Sequence, residues 1–313
     1  MTKKIATREA YGNALAEFGE QYPNIVVLDA DLSQSTKTNT FKKKFPERFF
    51  NMGISEADLM ATAAGLALSG KIAFASTFAI FAAGRGFEQV RNSIAYTRAN
   101  VKIGATHAGI TVGEDGGSHQ AVEDISLMRS LPNMVVINPA DAVEARAAVK
   151  AAIEHDGPVY MRFGRLAVPV FFDEATYKFQ LGKGAVIEEG TDVSIIATGM
   201  MVSSAVEARE ILAKEGISAR VINIHTIKPI DKDIIVQAAS ETKAIVTVEE
   251  HSIIGGLGSA VAEVLVENYP APMKRIGLMD KFGQSGKPDE LLKLYGLTPE
   301  DIASETKALL DRI

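Results

Sequence analysis

The stretch "MVVINPADAVEARAAVKAAIEHDGPVYMRFG", residues 134–164, contains a complete strand–helix–strand unit. The apolar run "MVVI" stops at Asn138 and Pro139. Asp141 followed by Glu144 has the spacing of a capping box and predicts a helix over 142–154. "HDGP" then interrupts the helical period, and "PVYMRFG" begins a second run rich in Val and aromatic residues. Neither apolar run alternates with polar residues. Near-continuous apolar strands joined through a helix point to a parallel sheet covered on both faces.

The same alternation extends in both directions. Upstream, "NIVVLDAD", "KIAFAST" and "VKIGATH" are strand-length runs closed by Asp, Ser-Thr and Thr-His, separated by longer helical patterns. Ser55 followed by Asp58 predicts a weaker capped start for the apolar helix "EADLMATAAGLAL". The pattern breaks over "GRLAVPVFFDEATYKFQLGKGAVIEEG", where Pro, Gly, aromatic and charged residues mix without one period. Alternation then resumes with "DVSIIATG", "SARVINI" and "KAIVTVEE", each leading into a helical segment. One such helix starts near Asp231, and another is marked by Thr298, Pro299 and Asp301. We therefore expect two α/β domains with largely parallel sheets, over 1–165 and 190–313, joined by a connection over 166–189. No internal repeat or low-complexity segment is present.

Composition narrows the function classes. The 313 residues suit two domains, and a net charge of −6 argues against a nucleic-acid surface, which is usually basic. The absence of cysteine excludes disulfides and thiolate chemistry, and it accords with a reducing, cytoplasmic setting. The N-terminal "MTKKIATREAYGNAL" lacks the apolar core of a signal peptide. The longest oily run, "IAFASTFAIFAAG", is shorter than the ~20 residues a membrane span needs. No membrane or nucleic-acid partner is expected.

Ligands of parallel α/β sheets bind beyond the carboxyl ends of the strands, so the loops there come first. Glu56 opens the helix that follows "RFFNMG". "STFAIF" carries Phe78 and Phe81. "THAGITVGEDGGSHQ" holds His107, Asp115 and His119 among four glycines, and Arg162 ends "VYMRF". Each has an ordinary structural explanation when taken alone. Glu56 suits the positive end of a helix, worth ~0.3–1 kcal/mol. The phenylalanines suit a core, and Arg162 suits an ion pair. No metal site is read, because the histidines lack helix-spaced or cysteine partners. In "IIGGLGSAV" the glycines fit a tight turn with close helix–sheet packing better than an anion cradle. His225 and His251 receive no role.

In combination the stretches are specific. "GISEADLMATAAGLALSG", "STFAIF", "THAGITVGEDGGSHQAVEDI" and "YMRFGR" resemble, in order and spacing, the C-terminal half of transketolase. The later "VINIHTIKPID" and "VEEHSIIGGLGSAV" extend that resemblance through the C-terminal domain. The histidine of "THAG" and the "GEDG" sequence favour transketolase over 1-deoxyxylulose-5-phosphate synthase. They favour it less decisively over the beta subunit of 2-oxoacid dehydrogenases, and both remain alternatives, with a non-catalytic scaffold subunit a third. The chain has no "GDG…N" stretch of the kind that holds Mg²⁺ and the diphosphate in thiamine diphosphate enzymes; "HDG" at 155–157 precedes a strand and has no suitable Asn.

The resemblance implies one subunit of a split transketolase, moving a two-carbon ketol unit from a ketose phosphate to an aldose phosphate in the pentose phosphate pathway. A partner chain carrying GDG…N would hold Mg²⁺ and the diphosphate of thiamine diphosphate, in an α₂β₂ heterotetramer. It further implies that Glu56 hydrogen-bonds the cofactor's aminopyrimidine and that Phe78 and Phe81 line the pocket for that ring. His107 and His119 would contact the donor's oxygens near the reacting carbons, Asp115 a sugar hydroxyl, and Arg162 a phosphate, with Lys37 a weaker phosphate candidate. Ala57, Gly84 and Gly117 depart from the family pattern.

Overall fold

The computed structural model describes residues 3–313. Seven strands form the first sheet, in the order Thr226–Lys228, Val135–Ile137, Val159–Arg162, Val101–Thr106, Ile72–Phe78, Ile25–Asp29 and Phe49–Asn51. All pairings are parallel except that of Thr226–Lys228. The strands Ile25–Asp29, Ile72–Phe78 and Val101–Thr106 are buried along their whole lengths, as expected where helices cover both faces. Helices Thr7–Gln21 and Ala142–Glu154 pack one face, while Glu56–Leu68 and the turns over 87–95 pack the other.

The second sheet runs Met273–Leu278, Ala244–Ser252, Val193–Ala197, Ala219–Asn223 and Ala185–Glu188. Its last strand is antiparallel, and helices again cover both faces. The chain thus has an α/β fold of two domains with largely parallel sheets.

The segments between the sheets are more ordered than their composition suggests. Ala185–Glu188, inside the aperiodic stretch, completes the edge of the second sheet, and Ala167–Pro169 pairs with Lys4–Ala6. Thr226–Lys228, within "VINIHTIKPID", crosses back to the edge of the first sheet. No local period encodes these edge pairings, because a strand of three or four residues is defined by its neighbour.

Helix starts follow the cap chemistry unevenly. Thr298 and Asp301 form a reciprocal capping box, and Asp231 caps its helix through Ile234 N. Ser55 makes no side-chain cap, contrary to its spacing with Asp58. Asp141 Oδ1 accepts from Glu144 N at 2.9 Å, while its Oδ2 accepts from Phe171 N and Phe172 N at 3.0 Å each. Glu144 Oε2 turns back to Ala140 N, and its Oε1 accepts from Asn223 Nδ2 at 2.8 Å. One helix start therefore ties the connection and the second domain to the first.

Lys102 is fully buried in the strand Val101–Thr106 and donates to His155 O (2.7 Å) and Gly157 O (2.6 Å) beyond the end of helix Ala142–Glu154. Burial pushes its pKa down to about 7, with Asp156 opposing. A lysine whose pKa is lower in the fold than in the open chain penalises folding while protonated, and the penalty fades as pH rises above 7. Relative to Lys102→Met, the native chain should gain up to about 3 kcal/mol of stability between pH 7 and 9.5. Urea unfolding of both proteins at the two pH values measures this, and a pH-independent difference would refute it.

Candidate functional site

The candidate residues gather at the carboxyl edge of the first sheet. Phe78 ends its strand in register with Thr106, so the residue after Thr106 meets the Phe78 ring. That residue is His107, whose ring stacks on Phe78 at 3.9 Å between centroids. Phe81, one turn further on, lies parallel to Phe78 at 5.8 Å, and His119 meets its edge at 5.5 Å. His107 has φ +56°, an uncommon left-handed backbone for a residue with a side chain. Such strain persists where the surroundings hold it, and it is concentrated at functional sites.

Glu56 is the first residue of helix Glu56–Leu68 and only 3% exposed. Both its oxygens accept from Arg85 Nη1 at 3.1 Å. The Arg85 guanidinium lies 4.1 Å over the Phe81 ring centre, and its side chain is 54% exposed. A buried carboxylate thus sits beside an aromatic face, with a planar group bridging the two.

A group of cations surrounds His107. Arg8 Nη1 lies 3.3 Å from His107 Nε2 and also donates to Ser35 O at 2.7 Å. Since an arginine N–H only donates, Nε2 is the acceptor; Nδ1–H then donates to Thr106 Oγ1 at 2.9 Å. Burial, reinforced by Arg8, Arg165, Lys37 and His119, pushes the His107 pKa down to about 3. The imidazole is therefore neutral across the physiological range. Arg165 faces Glu114 and Asp115 at 3.7 and 3.9 Å, and Lys37 lies 3.6 Å from Glu9. Asp115 is exposed on the pocket loop, and His119 Nδ1 is 3.0 Å from Ser118 Oγ.

The structure thus brings Glu56, Phe78, Phe81, His107 and His119 together, with Asp115 and Lys37 at the margin. Arg162 departs from the expectation that it holds a phosphate. It is buried at the domain junction, donating to Asp124 Oδ2 (2.9 Å), Ala121 O (3.2 Å) and Glu250 O (3.0 Å). The last residue of a buried strand is aimed by the sheet; Arg165, three residues on, is in the loop and reaches the pocket side. Arg8, Arg85 and Arg165 were not picked out from the sequence. Arg8 left one trace there, because a cation in a helix's first turn opposes the helix dipole.

The glycines before helix Leu257–Asn268 cradle no free space for an anion. Glu249 already accepts from Leu257 N (2.7 Å) and Gly258 N (2.8 Å). Among the described residues, no group of three or more His, Asp or Glu side chains is arranged to hold a metal ion. Nor is any helix among them long and apolar enough to cross a membrane.

A two-domain α/β chain with a buried carboxylate, an aromatic pair and histidines at one sheet edge is the class defined so far. Residues 3–170 match the family model for the transketolase pyrimidine-binding domain, and residues 182–302 match the transketolase C-terminal domain. A Methanocaldococcus jannaschii protein, described provisionally as a transketolase C-terminal section, is 53% identical over 298 residues. That alignment covers 95% of this chain and 93% of the relative. The 6-deoxy-6-sulfo-D-fructose transketolase subunit of Clostridium sp. is 43% identical, covering 97% and 94%. Human transketolase is 36% identical over 99% of this chain, which spans only 50% of the human protein. A solved structure described as a split-gene transketolase, inactive beta4 tetramer, superposes with TM-score 0.92 at 57% identity, covering 98% of this chain and 99% of that one. The chain belongs to the transketolase family, as its C-terminal section.

The charge around His107 is open to a direct check. Removing a neighbouring cation favours the protonated ring, so Arg8→Gln should raise the His107 pKa by about one unit from its depressed value. NMR titration of the ring protons reads this shift, and an unchanged or lowered value would contradict it.

Proposed function

We propose that this chain is one subunit of a thiamine diphosphate-dependent transketolase, active with a separate chain that binds the diphosphate and Mg²⁺. The observation that carries this reading is the juxtaposition of buried Glu56 with the Phe81 face, next to a neutral histidine and a cluster of cations. The donor set suits the cofactor's flat aminopyrimidine. Arg85, itself planar and bearing N–H groups, takes the pose such a ring would need, bonded to Glu56 and stacked on Phe81. Its exposure leaves it room to swing aside.

When bound, thiamine diphosphate supplies a nucleophilic carbon and an electron sink. Glu56 would share a proton with a ring nitrogen across a hydrogen bond in a water-poor setting, where that bond is strongest. Phe78 and Phe81 orient the ring by stacking. His107 Nε2, which accepts from Arg8 here, would become a neutral acceptor for a sugar hydroxyl once Arg8 turns to the anionic end of the sugar, and His119 would contact a second oxygen. Asp115 would recognise a further hydroxyl. Arg8, Arg165 and Lys37, in place of Arg162, would hold the anionic end of the sugar, where guanidinium groups can bind oxyanions bidentately. Relatives described as transketolase subunits for apulose-4-phosphate and for 6-deoxy-6-sulfo-D-fructose are consistent with an anionic sugar as the substrate class.

The chain alone is expected to be inactive, and a similar split-gene structure is described as an inactive beta4 tetramer. An α₂β₂ assembly with the GDG-bearing chain would complete the site. Reconstitution with that chain, Mg²⁺ and thiamine diphosphate should yield ketol transfer from xylulose 5-phosphate. Glu56→Gln should assemble normally yet lose at least about 100-fold in turnover, the scale of a lost proton-transfer partner. Near-native turnover by the assembled variant would sink this reading. Pyruvate decarboxylation without ketose cleavage would favour a 2-oxoacid dehydrogenase subunit.

A further inference from the structure

The loop from Gly109 to His119 carries Asp115 and His119, and its short 3-10 segment, Ile110–Asp115, is kinked at Gly113. It holds Gly109, Gly113, Gly116 and Gly117, with φ of +80°, +86° and +77° at the first three. A segment so rich in glycine costs much backbone entropy to order, so something outside it must hold it. Two side chains of the second domain reach it at Thr111, whose hydroxyl donates to Met200 Sδ at 3.5 Å. Glu250, on strand Ala244–Ser252, crosses the domain junction, and its Oε1 accepts from Thr111 N at 2.6 Å. Its carboxylate fills the space where a Gly109 side chain would be. A Cβ there would lie 2.2 Å from Glu250 Cδ and 2.3 and 2.5 Å from its two oxygens.

Burying a carboxylate at a junction is unfavourable unless its bonds require it, and an apolar side chain could fill the same volume. Only an acceptor can fix the direction of the Thr111 N–H. The backbone of Glu250 is itself fixed, since its carbonyl accepts from Arg162 Nη2. From the other side, Gln120 Nε2 donates to Ile110 O (3.0 Å), Gly113 O (3.3 Å) and Gln284 O (3.0 Å), and residues 283–288 lie against Gly113, Gly116 and Gly117, so the second domain meets this loop at several points.

We propose that Glu250 is a positioning residue through which the second domain sets the geometry of the 109–119 loop for recognition of the sugar. This rests on the reading of the pocket given above. Glu250 touches neither the aromatic pair nor Glu56, so its effect should fall on sugar binding and spare the cofactor.

Glu250→Ala and Glu250→Gln in the assembled two-chain complex separate these roles. In Glu250→Ala, KM for xylulose 5-phosphate should rise roughly tenfold while kcat changes by less than about threefold. Thiamine diphosphate affinity by calorimetry should stay at the native value. Glu250→Gln keeps an amide oxygen for the Thr111 N–H and should retain KM within about threefold of native. Amide exchange in the chain itself should quicken over 109–119 in Glu250→Ala only, with strands Val193–Ala197 and Ala219–Asn223 unchanged. Native exchange over 109–119 in Glu250→Ala overturns the proposal, as does a kcat loss at constant KM. Faster exchange throughout both variants overturns it too, since Glu250 would then serve only stability. If the native complex turns over no phosphosugar, the reading of the pocket fails, while the exchange result still decides whether Glu250 holds the loop.

Discussion

The guanidinium of Arg162 is buried where the two domains meet, and much of the molecule is arranged around satisfying it. Asp124 supplies the opposing charge, and carbonyls of Ala121 and Glu250 take two further hydrogen-bond positions. Asp124 also accepts from the Tyr160 hydroxyl at 2.8 Å. Removing one member of such a pair strands a charge in a low-dielectric interior, which is far costlier than losing a surface ion pair. The cluster draws on the end of one strand, the loop after the pocket and a strand of the second domain. It therefore fixes how the second domain is placed beside the pocket.

That placement gives the second domain a role beyond covering a sheet edge. Its strand Thr226–Lys228 extends the first sheet, and Asn223 bonds the Glu144 that helps cap the start of helix Ala142–Glu154. Glu249 and His251 flank Glu250 in the same strand. Burial pushes Glu249 up to about 7 and His251 down to about 4, so a neutral histidine faces the buried acids. A junction of this kind is rigid because each polar group has few alternative partners.

The pocket shows a complementary logic. Its aromatic and carboxylate groups lie on the sheet edge and the first turn of a helix, which are stiff elements. Asp115 and His119 lie on a glycine-rich loop that the second domain contacts. Stacked Phe78 and His107, with the strained backbone at His107, join the two parts.

The sequence by itself determined the alternating strand and helix order, the two-domain organisation and the family, because apolar periodicity and contiguous motifs are local properties. It also singled out Glu56, Phe78, Phe81, His107 and His119, which follow strand ends or belong to those motifs. Only the tertiary structure decided the rest. Short edge strands such as Ala185–Glu188 exist by pairing, with no period of their own. Arg162 and Arg165 stand three residues apart with the same charge, and the sequence alone does not say which faces the pocket. The sheet aims the first into the junction, while the loop carries the second outward. Arg8 and His107, 99 positions apart, meet only because parallel strands and their helices bring their ends to one edge. Contacts at that sequence separation are set by packing, which no local pattern records.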